Sequence, residues 1–279
     1  MITEQGITEQ GTSEPRVLVL GGTAEARDLA TRLHAAAVPV ISSLAGRVSN
    51  PQLPIGEVRI GGFGGTERMR DWLRDNRITA VVDASHPFAA RISANTAAAC
   101  CAEDVPLLML RRPEWTPAAG DHWSAVASLD EGAAALAGVG ERVFLTIGRQ
   151  GVGAFADCRD RWFLVRAIDP PVGPVPERME LLLARGPFDV DEEIALMRSR
   201  RIDVLVTKNS GGPLTEAKLA AARALAIPVL MVRRPAPPAG VGEVDAAGPA
   251  ADWVMGRSGG GQVRRPGVDG RSTGSSANT

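Results

Sequence analysis

The sequence predicts an α/β protein built from two doubly wound domains with mainly parallel sheets. Three observations lead there. Short apolar runs alternate with amphipathic stretches, a Pro- and Gly-rich loop interrupts the rhythm near residue 112, and the rhythm then restarts. Parallel strands need crossover helices, and an alternating order supplies them. At 279 residues the chain also exceeds the length of one ordinary domain.

Each element has a local reason. Residues 16–20 form an apolar run of strand length, and behind a glycine pair Ala26, Leu29, Ala30 and Leu33 recur on one helical face. Residues 38–43 and 57–60 read as the next strands. Thr66 is placed to cap a helix in which Met69, Trp72 and Leu73 share a face. Residues 78–83 read as strand, 88–101 as helix and 105–110 as strand. Beyond Arg111-Arg112-Pro113, strands are expected at 123–127, 142–147, 162–168, 202–207 and 228–232, with helices at 189–200 and 215–225. The expected organisation is a first domain over 16–112 and a second over 113–255. Residues 1–15, which carry Ile-Thr-Glu-Gln-Gly twice, and 256–279, rich in Gly, Ser, Arg and Asn, hold too little apolar surface for a core. Both are expected to be disordered extensions.

Composition narrows the function. Hydrophobic residues at 44% and charged residues at 23% describe a soluble globular chain. The 31 basic and 32 acidic residues nearly cancel, so no global field draws in nucleic acid or a membrane surface. No apolar run reaches the roughly 18 residues of a membrane span, and the N-terminus lacks the pattern of a secretory signal. A cytoplasmic location is expected. Cys100, Cys101 and Cys158 make neither an even disulfide set nor a metal-ligand spacing, and His34, His86 and His122 are scattered, so no metal site is expected. Tyrosine is absent, which removes the tyrosine–lysine proton donor of short-chain dehydrogenases. Only Lys208 and Lys218 are lysines, so a lysine inside a motif is informative.

In open parallel sheets ligands bind beyond the carboxyl ends of the strands, and the unusual residues gather there. Gly21, Gly22 and Thr23 follow the first strand and open the first helix, where glycines and helix N–H groups suit a pyrophosphate; a plain tight turn is the alternative. Ser42, Ser43 and Arg47 stand where an NAD enzyme usually offers a carboxylate to the ribose, and hydroxyls with an arginine suit the 2′-phosphate of NADPH instead; a polar loop with one solvated arginine is the alternative. Gly62, in Gly61-Gly62-Phe63-Gly64-Gly65, permits close approach of a flat ligand or simply loosens a loop. Ser85 and His86, in Asp83-Ala84-Ser85-His86-Pro87-Phe88, can line the nicotinamide and the reacting substrate, or belong to the cap of the next helix. In the second half Arg149 follows one strand, and Lys208, Asn209, Ser210, Gly211 and Gly212 follow another: a cation, an amide, a hydroxyl and two glycines suited to a substrate anion, or an ordinary loop capping the Thr215 helix. Asp169, near Arg166, is a candidate acid beside His86, although an internal ion pair explains Arg166 and Asp169 equally well.

Taken in order, these motifs resemble the precorrin-6A reductase family of cobalamin (vitamin B12) biosynthesis. The residues that carry the resemblance are Val19–Arg27, Ser43-Leu44-Ala45-Gly46-Arg47, Asp83–Ala89, Gly148-Arg149, Thr207–Gly212 and Lys218, spanning about 16–235. The resemblance implies two Rossmann-like domains with a ligand cleft between them, NADPH as cofactor and a tetrapyrrole, precorrin-6A, as substrate, reduced at one double bond to precorrin-6B. It implies a hydride delivered to one macrocycle carbon and a proton to its neighbour, with neighbouring enzymes of the corrin pathway as candidate partners. A substrate rich in carboxylates calls for cations such as Arg149 and Lys208. A non-enzymatic NADP-sensing regulator on a degenerate version of the fold is the alternative, and it leaves the second-half loops without a purpose. The resemblance does not extend to the two terminal tails.

Overall fold

The computed structural model describes residues 16–46 and 51–258. The first run comprises β1 (Arg16–Leu20), α1 (Ala24–Ala35), β2 (Val40–Leu44), β3 (Glu57–Ile60), α2 (Thr66–Asp75), β4 (Ile78–Asp83), α3 (Ala90–Ala102) and β5 (Leu107–Leu110). The second comprises β6 (Trp123–Val126), α4 (Leu129–Ala135), β7 (Arg142–Thr146), β8 (Trp162–Ala167), β9 (Met179–Leu183), α5 (Val190–Ser199), β10 (Val204–Lys208), α6 (Ala217–Ala224) and β11 (Val229–Val232). The chain then adds β12 (Gly242–Val244) and α7 (Ala247–Ser258). Thr66 is not the cap of α2: it is the first helical residue, and Gly65 at φ +113° precedes it.

Two six-stranded sheets result, β3-β2-β1-β4-β5-β12 and β9-β8-β7-β10-β11-β6, with every paired strand parallel. In each, the order reverses at one inner strand, β1 in the first sheet and β7 in the second, the arrangement of dinucleotide-binding sheets. The sixth strands are exchanged. β6, which follows the first five strands, pairs with β11 of the second sheet, and β12, which follows the second five, pairs with β5 of the first.

This corrects the sequential boundary. Residues 242–258 do not belong with 113–241, because Ala247, Ala250, Ala251 and Val254 of α7 complete the core around Leu29, Leu33 and Leu108. Burying a leucine side chain is worth roughly 1.5–3 kcal/mol, so leaving that face open would be costly. It also moves the start of the C-terminal tail past residue 255, since α7 runs to Ser258. The remaining tail and residues 1–15 lie outside the described residues.

The halves repeat each other. Pro-Leu-Leu-Met-Leu-Arg-Arg-Pro at 106–113 and Pro-Val-Leu-Met-Val-Arg-Arg-Pro at 228–235 differ only by Leu/Val exchanges. The left-handed residues before them match as well, Asp104 at φ 53° and Ala226 at φ 51°. Both Arg-Arg-Pro segments begin a passage between the sheets, and the two passages are tied together. Arg111 Nη2 donates to Pro235 O at 3.2 Å, while Arg234 donates to Arg112 O at 2.8 Å and to Pro113 O at 3.0 Å.

Among the described residues no helix is long and apolar enough to cross a membrane, and no cluster of His, Cys, Asp and Glu is arranged to hold a metal ion.

Candidate active site at the carboxyl ends of the strands

The turn after β1 is set by close approach. Gly21 adopts φ +122°, and a Cβ there would lie 2.5 Å from Ala84 O, so only glycine fits. Thr23 caps α1: its hydroxyl accepts from Ala26 N at 3.1 Å and donates to Ala84 O at 2.9 Å. The cap is worth about 1 kcal/mol, and it also fastens the turn to the loop that follows β4. Gly22 is exposed at the mouth of this turn.

The two serines of β2 separate, as alternate strand residues must. Ser42 is buried, and its hydroxyl has no hydrogen-bond partner among the described residues. Ser43 accepts from Arg59 Nη1 at 3.2 Å, because the two residues are in register on β2 and β3. Arg59 was not singled out in the sequence. Its guanidinium also donates to Gly61 O at 2.5 Å and Gly62 O at 2.9 Å, and it stacks 3.8 Å from the centroid of Phe63. Phe63 in turn packs edge-on against Trp72. A Cβ on Gly61 or Gly62 would meet nothing within 4 Å, so the space beside this arginine is open. Arg47 lies outside the described residues.

After β4, Asp83 is buried and its Oδ1 accepts from Ser85 N at 3.0 Å. His86 and Phe88 follow with ring centroids 5.9 Å apart. The Nδ1 of His86 accepts from Phe88 N at 3.2 Å, which places the remaining ring proton on Nε2. Crowding by the cleft walls and then the charges of Arg112, Lys208 and Arg234 shift the His86 pKa downward from its ordinary value, although the side chain keeps exposed surface. With Nδ1 accepting a backbone N–H, the ring in this arrangement is a neutral imidazole offering one N–H. Next to it lies a cavity of about 190 Å³ lined by Ser85, Ser93, Met109, Arg111 and the Pro235–Pro238 passage.

The second sheet meets this loop through Lys208. At the end of β10 its Nζ stands 5.3 Å from the centroid of the Phe88 ring, a cation facing an aromatic across the cleft. The rest of the loop has a different job. Asn209 is buried, and its side chain accepts from Trp115 N at 2.9 Å and donates to Glu114 Oε2 and Trp115 O. Asn209 O accepts from Arg234 Nε at 2.6 Å, and Ser210 O accepts from Arg112 Nε at 2.7 Å. A Cβ on Gly211 would lie 2.0 Å from Pro113 O, and one on Gly212 would lie 2.8 Å from Arg112 Cδ. Asn209, Gly211 and Gly212 thus hold the two passages in place, a structural task that the sequence did not assign to them. Arg112 extends the tie to the first half by pairing with Glu25 at 3.0 Å.

The remaining candidates lie farther along the second sheet. Arg149 follows β7, the neighbour of β10, whereas Asp169 follows β8, one strand beyond, roughly 10 Å away at the usual strand spacing. Asp169 and His86 stand at strand ends of different sheets. Arg166 is internal, pairing with Glu193 and stacking 3.7 Å from the Phe188 centroid. Behind the latch, Lys218 is 3% exposed, donates to Thr215 O and sits 4.6 Å from the Trp115 ring. Burial first, then Arg166 and Arg112, lower its pKa to about 7, against the opposing pull of Glu193 and Glu216.

Comparison with known proteins shows the family and the fold. Residues 16–254 match the family described as precorrin-6x reductase CbiJ/CobK. A precorrin-6A reductase of Rhodococcus erythropolis is 57% identical over 240 residues, covering 86% of this chain and 97% of its own length. One from Mycobacterium tuberculosis is 55% identical over 243 residues, covering 86% of this chain and 98% of its own. The solved structure of CobK precorrin-6A reductase superposes with a TM-score of 0.81 at 41% identity, over 87% of this chain and 97% of that one.

Proposed function

The chain belongs to the precorrin-6x reductase family, and from that premise we propose that it is a precorrin-6A reductase, an oxidoreductase of cobalamin biosynthesis that uses NADPH to reduce a macrocycle double bond and give precorrin-6B. The observation that carries the reading is the meeting of two loops across the cleft. Ser85, His86 and Phe88 come from a sheet with dinucleotide-binding strand order, and Lys208 comes from the other.

NADPH, when bound, supplies the hydride. The first sheet is assigned to hold it, over the point where strand order reverses between β1 and β4. Gly21, Gly22 and the N-terminus of α1 suit the pyrophosphate. Arg59 with Ser43 is assigned the 2′-phosphate. Its guanidinium is pre-oriented by Phe63, and among the described residues it forms no ion pair, so an incoming phosphate is its charge partner. Ser85, His86 and the adjoining cavity are assigned the nicotinamide end, where neutral His86 donates a hydrogen bond and remains uncharged beside a cationic ring. Lys208 and, along the same sheet, Arg149 face the carboxylate-rich macrocycle.

Anaerobic incubation of the full chain with NADPH and precorrin-6A tests the reading. The expected result is NADPH oxidation that depends on the macrocycle and parallels its conversion. Cofactor binding with no oxidation would contradict it and favour a dinucleotide-sensing regulator.

A further inference from the structure

We propose that Lys208 is the proton donor of the reduction, delivering a proton from Nζ to the macrocycle carbon beside the one that receives the hydride. The inference rests on the reductase reading above and deepens it. Hydride addition to a carbon–carbon double bond leaves an electron pair on the second carbon, and an acid must close it.

The groups around the cleft reduce to one by chemistry. The chain has no tyrosine. His86 Nδ1 already accepts from Phe88 N at 3.2 Å, which leaves a neutral ring with its one proton on Nε2, and a neutral imidazole does not release that last proton near neutral pH. Arg112 and Arg234 never deprotonate in proteins, and both are committed to backbone carbonyls of the latch. Asp83 is buried behind Ser85, and the Thr23 hydroxyl is spent on capping and on Ala84 O. Asp169 stands two strands away from β10.

Lys208 remains, and its setting suits the task. Half-buried, it faces Phe88 from the opposite sheet and, among the described residues, has no carboxylate partner. His86 from the loop after β4, Arg112 from the end of β5 and Arg234 from the end of β11 surround this part of the cleft. The carboxylates that approach, Glu25 and Glu114, are taken by Arg112 and Arg234. Desolvation lowers the Lys208 pKa, which makes its ammonium a stronger acid than an exposed lysine. In the step, the Nζ–H bond breaks, the carbon electron pair takes that proton to form a C–H bond, and the neutral amine regains a proton from water.

Lys208→Ala and Lys208→Arg, made in the full chain, test the assignment. Both are expected to lower kcat by roughly 10²–10⁴-fold, with KM for precorrin-6A and Kd for NADPH near wild type. Arginine keeps the charge but holds its proton, so it separates proton donation from simple attraction of a carboxylate. Small primary amines added to the solution should restore turnover to Lys208→Ala. Because the chain has only two lysines, a sample labelled at lysine Cε gives two NMR signals, and the one lost in Lys208→Arg reads the titration of residue 208 without turnover. That titration should fall below the ordinary 10.5 and coincide with the alkaline loss of kcat/KM. Wild-type kcat in Lys208→Arg, a rise in KM alone in Lys208→Ala, or an alkaline limb that persists in Lys208→Ala would overturn the inference. A wild-type chain inert towards NADPH and precorrin-6A would overturn the reductase reading, and this inference with it.

Discussion

The loops after β4 and after β10 occupy the same place in two sheets of the same order, yet they are built for different ends. After β4, Ser85, His86 and Pro87 border a cavity, and the fixed contacts lie behind them, in Asp83 and in the Gly21–Ala84 approach. After β10, everything past Lys208 is consumed by the passages: Asn209 holds Trp115, Ser210 O holds Arg112, and Gly211 admits Pro113. Duplication of a sheet therefore does not duplicate its ligand site. The chain must cross between sheets twice to exchange its sixth strands, and the second loop is the place where both crossings are locked. One lysine at its edge keeps a side chain turned towards the cleft.

The largest expected effect breaks the latch. Gly211→Ala places a methyl 2.0 Å from a backbone oxygen at φ +67°, so the passage must move. A loss of about 4 kcal/mol or more, read as a fall in Tm and in denaturation midpoint, is expected from such a clash. Gly148→Ala is the control within the same half. It has φ +77° but open space around it, so its cost should be confined to about 1–2 kcal/mol of left-handed strain.

The cofactor side of the comparison is sharpened by Arg59→Ala. Removing a charge-assisted phosphate contact of about 1.5–3 kcal/mol should weaken NADPH roughly tenfold to hundredfold and leave NADH nearly unchanged. Fluorescence titration with both cofactors checks it, and equal losses for the two would reassign Arg59 to fold maintenance.

The smallest effect is a slope. Lys218 has a folded pKa of about 7, below its value in the unfolded chain, so between these values the unfolded state binds more protons. Its contribution to stability must then rise with pH above about 7, by at most about 1.4 kcal/mol per pH unit. Lys218→Met should flatten that rise in urea midpoints measured from pH 7 to 9. An unchanged slope would show that Lys218 does not titrate there.

Much of the fold was legible because its strands are apolar runs with clear punctuation. The sequence ranges for β1, β3 and β4 coincide with the folded strands, and Asp189 caps α5 as its position at the start of the predicted helix implies. β12 was not legible, being three residues with no alternation, and α7 is an alanine-rich helix interrupted near its start by Gly248 and Pro249. Their place in the first sheet is a matter of long-range packing, for which the duplicated Arg-Arg-Pro segments were the available signal. At the site, glycines and serines told where ligands approach but not which of them would be spent on structure. Ser42 and Ser43 differ only by strand parity, and Arg59 emerges only once β2 and β3 are set in register. The downward shift of the His86 pKa comes first from desolvation and then from three cations of separate strand ends, an environment that only the folded chain assembles.

The division between the halves is tested most directly by hydrogen exchange of the full chain with and without saturating NADPH, read by mass spectrometry. The account predicts slowed exchange at 20–27, 59–65 and 83–89, with 209–213 equally protected in both states because the latch is already closed. Protection centred on 148–155 and 208–213, with the first sheet unchanged, would contradict it and place the cofactor on the other half.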